Sequence, residues 1–174
     1  ISYCLRKAKW QFEREWYITQ RGAYYFMRGN IIHGILAASS QKSGALVEHP
    51  LSVVVPGTEL ILAGQLDWWE DGILYDYKTL AETGLSRLMK EGPKNEHIDQ
   101  VNTYAWMLRK EKKIITWKIV IIYLTMSHCI PSGEDFMFKN RKGEEEIGHI
   151  DSCPLFNDSQ VEGRLTPIFK KLAA

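Results

Sequence analysis

The sequence has few cysteines and no long apolar run, and each absence excludes a class of protein. Its 174 residues include three cysteines, Cys4, Cys129 and Cys153, which are odd in number and widely spaced. A disulfide framework is therefore not expected, and a reducing, cytoplasmic compartment is the simplest prediction. The longest candidate apolar run, 119–124, is far shorter than the ~20 residues of a membrane helix. We therefore expect no membrane partner.

The sequence also has no large excess of positive or of negative charge. The 22 basic and 21 acidic side chains give a formal net charge of +1. This balance argues against a polycation that binds nucleic acid through bulk charge alone. The charge is nevertheless uneven, because residues 1–30 carry a net charge of +4. That segment is either a surface for an acidic partner or a solvated helical face.

Length and composition are those of an ordinary globular protein. Hydrophobic residues make up 45% of the chain and charged residues 25%, and this length predicts a single domain over residues 1–174. The chain begins at Ile1, with no initiator methionine and no signal-peptide pattern. We therefore expect that its termini have been trimmed.

Hydrophobic periodicity predicts an α/β protein with a central mixed β-sheet flanked by α-helices. Helices are predicted over 3–17, 23–38, 97–110 and 158–172, with a shorter one within 84–92. Pro167 should interrupt or kink the last helix. Strands are predicted over 45–55, 60–70, 73–79, 116–125 and 135–139. Asp71-Gly72 is typical of a tight hairpin, so the first three strands should form an antiparallel meander.

Two aspartates on the predicted hairpin carry the strongest chemical signal. Asp67 lies four residues before the Asp71-Gly72 turn and Asp76 four residues after it, so they should lie opposite each other. Apolar neighbours indicate that both strands enter the core, where acids are seldom found unless they are paired or bind metal. Lys78 should share the face of Asp76. The three side chains predict either a divalent-cation site or a salt bridge, and the local pattern leaves both open.

Short motifs surround these residues. Gly64-Gln65-Leu66-Asp67 has the form GxxD, and Asp76-Tyr77-Lys78-Thr79, after the hairpin, has the form D-x-K-T. The two motifs resemble the core of the PD-(D/E)XK nuclease superfamily, in particular its RecB-like branch. Upstream, the segment from Arg28 to His33 resembles RG-x-x-x-H, and Glu48 resembles an acidic residue often found on the first strand. Downstream, Gln100 to Tyr104 is similar to QxxxY, whose two named side chains share one helix face.

The resemblance implies a restriction-endonuclease-like core and metal-dependent hydrolysis of DNA. The implied catalytic residues are Asp67, Asp76 and Lys78. The implied ligands for one or two Mg2+ or Mn2+ ions are His33, Asp67, Asp76 and the carbonyl of Tyr77, with Glu48 as a further candidate. The implied substrate-binding residues are Arg28, Gln100 and Tyr104.

The implied activity is that of an exonuclease on single-stranded or duplex DNA ends, in phage or mobile-element recombination or in repair. A second copy of the chain or a recombination protein is a candidate partner. Two alternatives are a structure-specific or CRISPR-associated RecB-like endonuclease with the same site, and an inactive nucleic-acid-binding module.

Two further expectations concern residues outside this group. Some RecB-like nucleases hold an iron–sulfur cluster on four cysteines, and Cys4 matches the first. Cys129 and Cys153 leave that set incomplete, so we expect no cluster. Three other histidines, His97, His128 and His149, show no ligand-like spacing with one another and should lie at the surface.

Overall fold

The structure is a computed structural model that describes residues 19, 27, 29–31, 33–35, 38, 44–80, 82–125, 138–139, 145–146 and 149–173. The strands within these residues are β1 (Leu46–Val54), β2 (Ile61–Glu70), β3 (Ile73–Leu80), β4 (Lys118–Thr125), β5 (Phe138–Lys139), β6 (Glu145–Glu146) and β7 (His149–Cys153). The helices whose bounds lie within the described residues are α1 (Glu82–Glu91), α2 (Asn95–Lys112) and α3 (Asp158–Ala173).

A five-stranded mixed sheet with the order β1-β2-β3-β4-β7 forms the centre of the fold. The β3–β4 pair is parallel, and the β1–β2, β2–β3 and β4–β7 pairs are antiparallel. Strands β5 and β6 form a separate two-stranded sheet. The predicted α/β class, with a mixed sheet flanked by helices, is confirmed.

The turn between β2 and β3 is the one that the sequence predicts. Glu70 pairs with Ile73, which leaves Asp71 and Gly72 as a two-residue loop. Both loop residues have positive φ, 48° and 80°. This conformation matches the right-handed twist of the strands, and Asp and Gly tolerate it better than most residues. The antiparallel meander of β1, β2 and β3 is therefore also confirmed.

Helices α1 and α2 form the crossover that joins the parallel strands β3 and β4. Helix α2 packs on β1, β2 and β3 and contacts α3. Its fully buried side chains supply much of the core: Val101, Asn102, Ala105, Trp106, Met107 and Leu108. The three- and four-residue spacing of apolar positions in 97–110 thus marked the buried face correctly.

One polar side chain in this core holds α2 to the chain that precedes α3. Asn102 is 1% exposed, and its Nδ2 donates hydrogen bonds of 2.9 Å to the carbonyls of Ile98 and Pro154. Its Oδ1 accepts a hydrogen bond of 2.6 Å from the backbone N–H of Phe156. The amide is therefore satisfied at both ends, as a buried polar group requires.

Several details differ from the prediction. The sequence predicts that Pro167 interrupts or kinks the last helix. Helix α3 is continuous through Pro167, which excludes the interruption. Strand β7 was not predicted, because its five residues, HIDSC, include only one strongly apolar side chain and do not alternate between polar and apolar types. His97 was predicted at the surface but is half-buried. Its Nδ1 lies 3.0 Å from the Tyr123 hydroxyl.

Some sequence predictions fall on residues that the structure does not cover. The predicted helix over 3–17 lies outside the described residues, as do His128 and most of the predicted strand over 135–139. Within the predicted helix over 23–38, residues 29–31 and 33–35 are helical. Among the helices that can be described, none has the length and apolar character needed to cross a bilayer.

Candidate metal centre

The candidate site lies where three neighbouring strands carry acidic side chains. Val47 pairs with Trp68 and His49 with Leu66, so Glu48 on β1 lies opposite Asp67 on β2. Asp76 is on β3, the next strand of the sheet. The sheet order therefore brings together carboxylates that are separated in the sequence.

His33 completes a compact group with the first two acids. Its Nδ1 lies 3.3 Å from Asp67 Oδ1 and 3.5 Å from Glu48 Oε1. One ligand atom from each of the three residues lies within 4.8 Å of the others. An imidazole nitrogen and two carboxylate oxygens are suitable ligands for a divalent cation. Glu48, a secondary candidate from the sequence, belongs to this group, whereas Asp76 does not.

The backbone ladder between β2 and β3 stops just short of the site. The last paired residues are Trp68 and Tyr75. Asp67 and Asp76 would be the next pair in this register, but the ladder does not extend to them. Instead, Asp67 Oδ2 accepts a hydrogen bond of 2.7 Å from the backbone N–H of Tyr77. The Asp67 side chain thus replaces a strand partner and is fixed with its second oxygen toward His33.

Asp76 is buried beside Lys78. The aspartate is 1% exposed, and its Oδ2 lies 2.7 Å from Lys78 Nζ. Apart from this ion pair, neither carboxylate oxygen has a hydrogen-bond partner among the residues that the structure describes. Burial raises the pKa of Asp76 to about 6, and the negative charge of Asp67 adds to the shift against the opposing effect of Lys78. The fold therefore holds a carboxylate whose charge is incompletely compensated.

Asp67 and Glu48 also change the pKa of His33. Its hydrogen bond to Asp67 raises the pKa of the imidazole above 6.5, with smaller contributions from the charges of Asp67 and Glu48. The negative charges of Asp67 and Glu48, which raise the pKa of His33, would also attract a cation. Together with the buried, incompletely paired Asp76, the ligand types fit a divalent cation.

The predicted substrate-binding pair lies on α2 next to this group. Gln100 Nε2 donates a hydrogen bond of 3.1 Å to the Tyr104 hydroxyl. Burial raises the pKa of Tyr104, to which the nearby charges of Asp76 and Asp67 also contribute. A Cβ on Gly64 would lie 2.7 Å from Tyr104 Cε1. The glycine of the GxxD element thus leaves room for the aromatic ring of the QxxxY element.

Other residues near the site were not identified from the sequence. Gln65 Nε2 donates a hydrogen bond to Glu48 Oε2, and Glu48 has a φ of 47°, which is rare for a residue other than glycine. Asp151 on β7 pairs with Ile121, which pairs with Asp76, so a further acid lies in the same row of the sheet. The signal for Gln65 was its place inside GxxD, but no sequence pattern indicates the unusual backbone of Glu48.

Some of the predicted site residues cannot be placed. Arg28 lies outside the described residues, as do Cys4 and Cys129. Cys153 is buried on β7, and burial raises the pKa of its thiol to about 11. The expected absence of an iron–sulfur cluster stays a prediction.

Comparisons with known proteins support the fold alone. No family model matches the chain, and no curated protein matches it. Among solved structures, the crystal structure of a protein named SSO0001 is similar, with a TM-score of 0.62 and 18% sequence identity. The similarity covers 98% of this chain and 72% of that one. At this identity the likeness establishes a shared architecture and not a shared activity.

Proposed function

We propose that the protein is a Mg2+- or Mn2+-dependent deoxyribonuclease that acts as an exonuclease on DNA ends. The observation that carries the proposal is the His33–Glu48–Asp67 group beside the buried Asp76–Lys78 pair. These residues occupy the positions at which the sequence resembles the RecB-like branch of PD-(D/E)XK nucleases. Processing of DNA ends in recombination or repair is the corresponding role.

A divalent ion bound here would supply positive charge for the phosphoryl oxygens and lower the pKa of a coordinated water. His33, Glu48 and Asp67 would hold it, with Asp76 as a further ligand. Asp67 is pre-oriented for this role, because the Tyr77 N–H fixes its other oxygen. The backbone of Tyr77 is therefore also held close to the site, where its carbonyl is the remaining predicted ligand.

Lys78 is the side chain best suited to contact the phosphate that is cut. Its Nζ is held at the site by Asp76, and the Lys78 side chain remains 19% exposed. An ammonium group in this position stabilises negative charge that develops on the phosphoryl oxygens and on the attacking water. Gln100 and Tyr104, joined by their hydrogen bond, would orient the DNA strand.

Cleavage of defined DNA substrates tests the proposal. Linear DNA with free ends, DNA with both ends blocked, and circular DNA are incubated with the protein and Mn2+. We expect degradation of free ends only, and losses of at least about a hundredfold in Asp67→Asn and Lys78→Met. Asp71→Asn, the same chemical change at the exposed hairpin turn, should keep full activity.

The outcomes separate the alternatives. Cleavage of circles would replace the exonuclease by an endonuclease. Absence of both cleavage and calorimetric Mn2+ binding would refute the nuclease and leave a nucleic-acid-binding module. Equal activity of Asp67→Asn and Asp71→Asn would show that the site is elsewhere.

A further inference from the structure

A cavity of about 450 Å³ opens between α1, α2 and the ends of β3 and β4. Its lining includes Leu80, Arg87, Leu88, Lys94, His97 and Tyr123. Cavities of ~300–1,000 Å³ are typical of small-molecule sites. None of the roles proposed above for the metal centre uses this cavity.

The strand register places the cavity directly beside the metal centre. Lys78 on β3 pairs with Tyr123 on β4, so the two side chains are neighbours on one face of the sheet. Leu80 lies two residues beyond Lys78 and shares its face. The cavity therefore begins next to the lysine that is proposed to contact the phosphate.

Positive groups are concentrated at the α1–α2 junction of this cavity. Arg87 and Lys94 line it, and Lys94 is also the N-cap of α2, where its side chain makes no capping hydrogen bond. Lysine has no acceptor atom, so it cannot satisfy the first N–H groups of the helix. These N–H groups and the helix dipole favour an anion at the same place.

The nearby acidic side chains do not cancel the positive charge of Arg87 and Lys94. Glu91 also lines the cavity. It lies 3.9 Å from Arg87 Nε, and both side chains of this ion pair are 68% exposed. An exposed ion pair of this kind contributes little free energy, so contact of Arg87 with another anion costs little. Glu96, in the first turn of α2, is exposed and does not line the cavity.

The remaining wall offers apolar contact and one neutral polar pair. Leu80 and Leu88 supply apolar surface. His97 uses Nδ1 for the Tyr123 hydroxyl at 3.0 Å, which leaves Nε2 as its other hydrogen-bonding atom. A ligand that combines one phosphate with a flat, partly apolar ring system matches this distribution.

We propose that this cavity binds a nucleoside monophosphate unit, namely the nucleotide next to the scissile phosphate, with its own phosphate at Arg87, Lys94 and the start of α2. The assignment deepens the proposed nuclease function and, as the subsite of a DNA strand, depends on it.

Binding of thymidine 5′-monophosphate in EDTA tests the subsite without cleavage or metal. By calorimetry we expect this nucleotide to bind at least about tenfold more tightly than thymidine, which lacks the phosphate. Lys94→Gln and Arg87→Gln should each weaken binding by about five- to tenfold. Lys112→Gln, at the opposite end of α2, is the matched control and should bind like the wild type.

DNA cleavage is measured on the same protein samples, so the nucleotide-binding result can be interpreted separately from the nuclease proposal. Equal binding of thymidine and its monophosphate, or equal binding by Lys94→Gln and Lys112→Gln, overturns the subsite whether or not DNA is cut. Phosphate-dependent binding that Lys94→Gln weakens, in a protein that cuts no DNA, supports the cavity as a nucleotide site and refutes the nuclease.

Discussion

Replacement of Asp76 by asparagine should make the metal-free protein more stable at neutral pH. The folded state buries Asp76, which is 1% exposed, and provides Lys78 as its ion-pair partner, and the pKa of the carboxyl is raised to about 6. At a pH well below 3.8 the group is protonated, and so neutral, in both the folded and the unfolded states. As the pH rises from ~4 to ~6, the unfolded chain releases the proton first, so stability is lost across this window.

The size of the effect follows from the shift. A change from 3.8 to about 6 corresponds to roughly 3 kcal/mol at about 1.4 kcal/mol per pH unit. The asparagine side chain of the variant would resemble the protonated acid and avoid this cost, although it leaves Lys78 without its partner. Since the Lys78 side chain is still 19% exposed, we expect a net gain of about 1–3 kcal/mol in the free energy of unfolding at pH 8.

Urea unfolding in EDTA at several pH values measures this gain. Asp76→Asn and wild type should be equally stable at about pH 3 and diverge as the pH rises, while Asp71→Asn at the exposed turn should follow the wild type throughout. Adding Mn2+ at a hundred times its Kd should stabilise the wild type by about 2.7 kcal/mol and the Asp76→Asn variant by much less. A less stable Asp76→Asn at pH 8 in EDTA would refute the claim that this carboxylate is held at an energetic cost.

Three further predictions follow from contacts in and around the site. Mn2+ affinity should increase from pH 6 to pH 8, because His33 and Asp76 both have raised pKa values and must lose their protons to bind the ion; a pH-independent Kd by calorimetry would contradict this. Gly64→Ala should destabilise the protein by about 1–3 kcal/mol, because its Cβ would overlap the Tyr104 ring. Combination with Tyr104→Ala should cost less than the two separate changes added together, as a double-mutant cycle in urea can show. Asn102→Ala should lower the free energy of unfolding by about 2–4 kcal/mol, because it removes three buried hydrogen bonds; a loss below about 1 kcal/mol would argue against the role of this amide.

Much of the sheet could be predicted because its signals are local. Asp71-Gly72 specifies a two-residue turn by backbone conformation alone, and the turn then fixes which residues of β2 and β3 face each other. The same register made Asp67 and Asp76 candidates for one site. Helix α2 was predictable for a similar reason, since its apolar spacing marks one buried face.

The finer geometry of the site could not be predicted, because it depends on contacts between distant segments. The ladder ends at Trp68 and Tyr75, and Asp67 then binds a backbone N–H in place of a strand partner. No local pattern distinguishes such a side chain from one that points into solvent. The ring of Tyr104 over Gly64 likewise requires α2 to pack on β2, 40 residues earlier in the chain.

The parallel pairing of β3 with β4 has a consequence for the order in which the protein folds. Strands β1 and β2 share eight paired positions and are close in sequence, whereas Asp76 is enclosed only when β4 pairs beside it, starting with Ile73 and Lys118. Long-range parallel pairing is a slow step, since a long loop must close before any contact is gained. We therefore expect the acidic centre to assemble late, so that a nascent chain that ends before β4 displays a hairpin but no buried carboxylate.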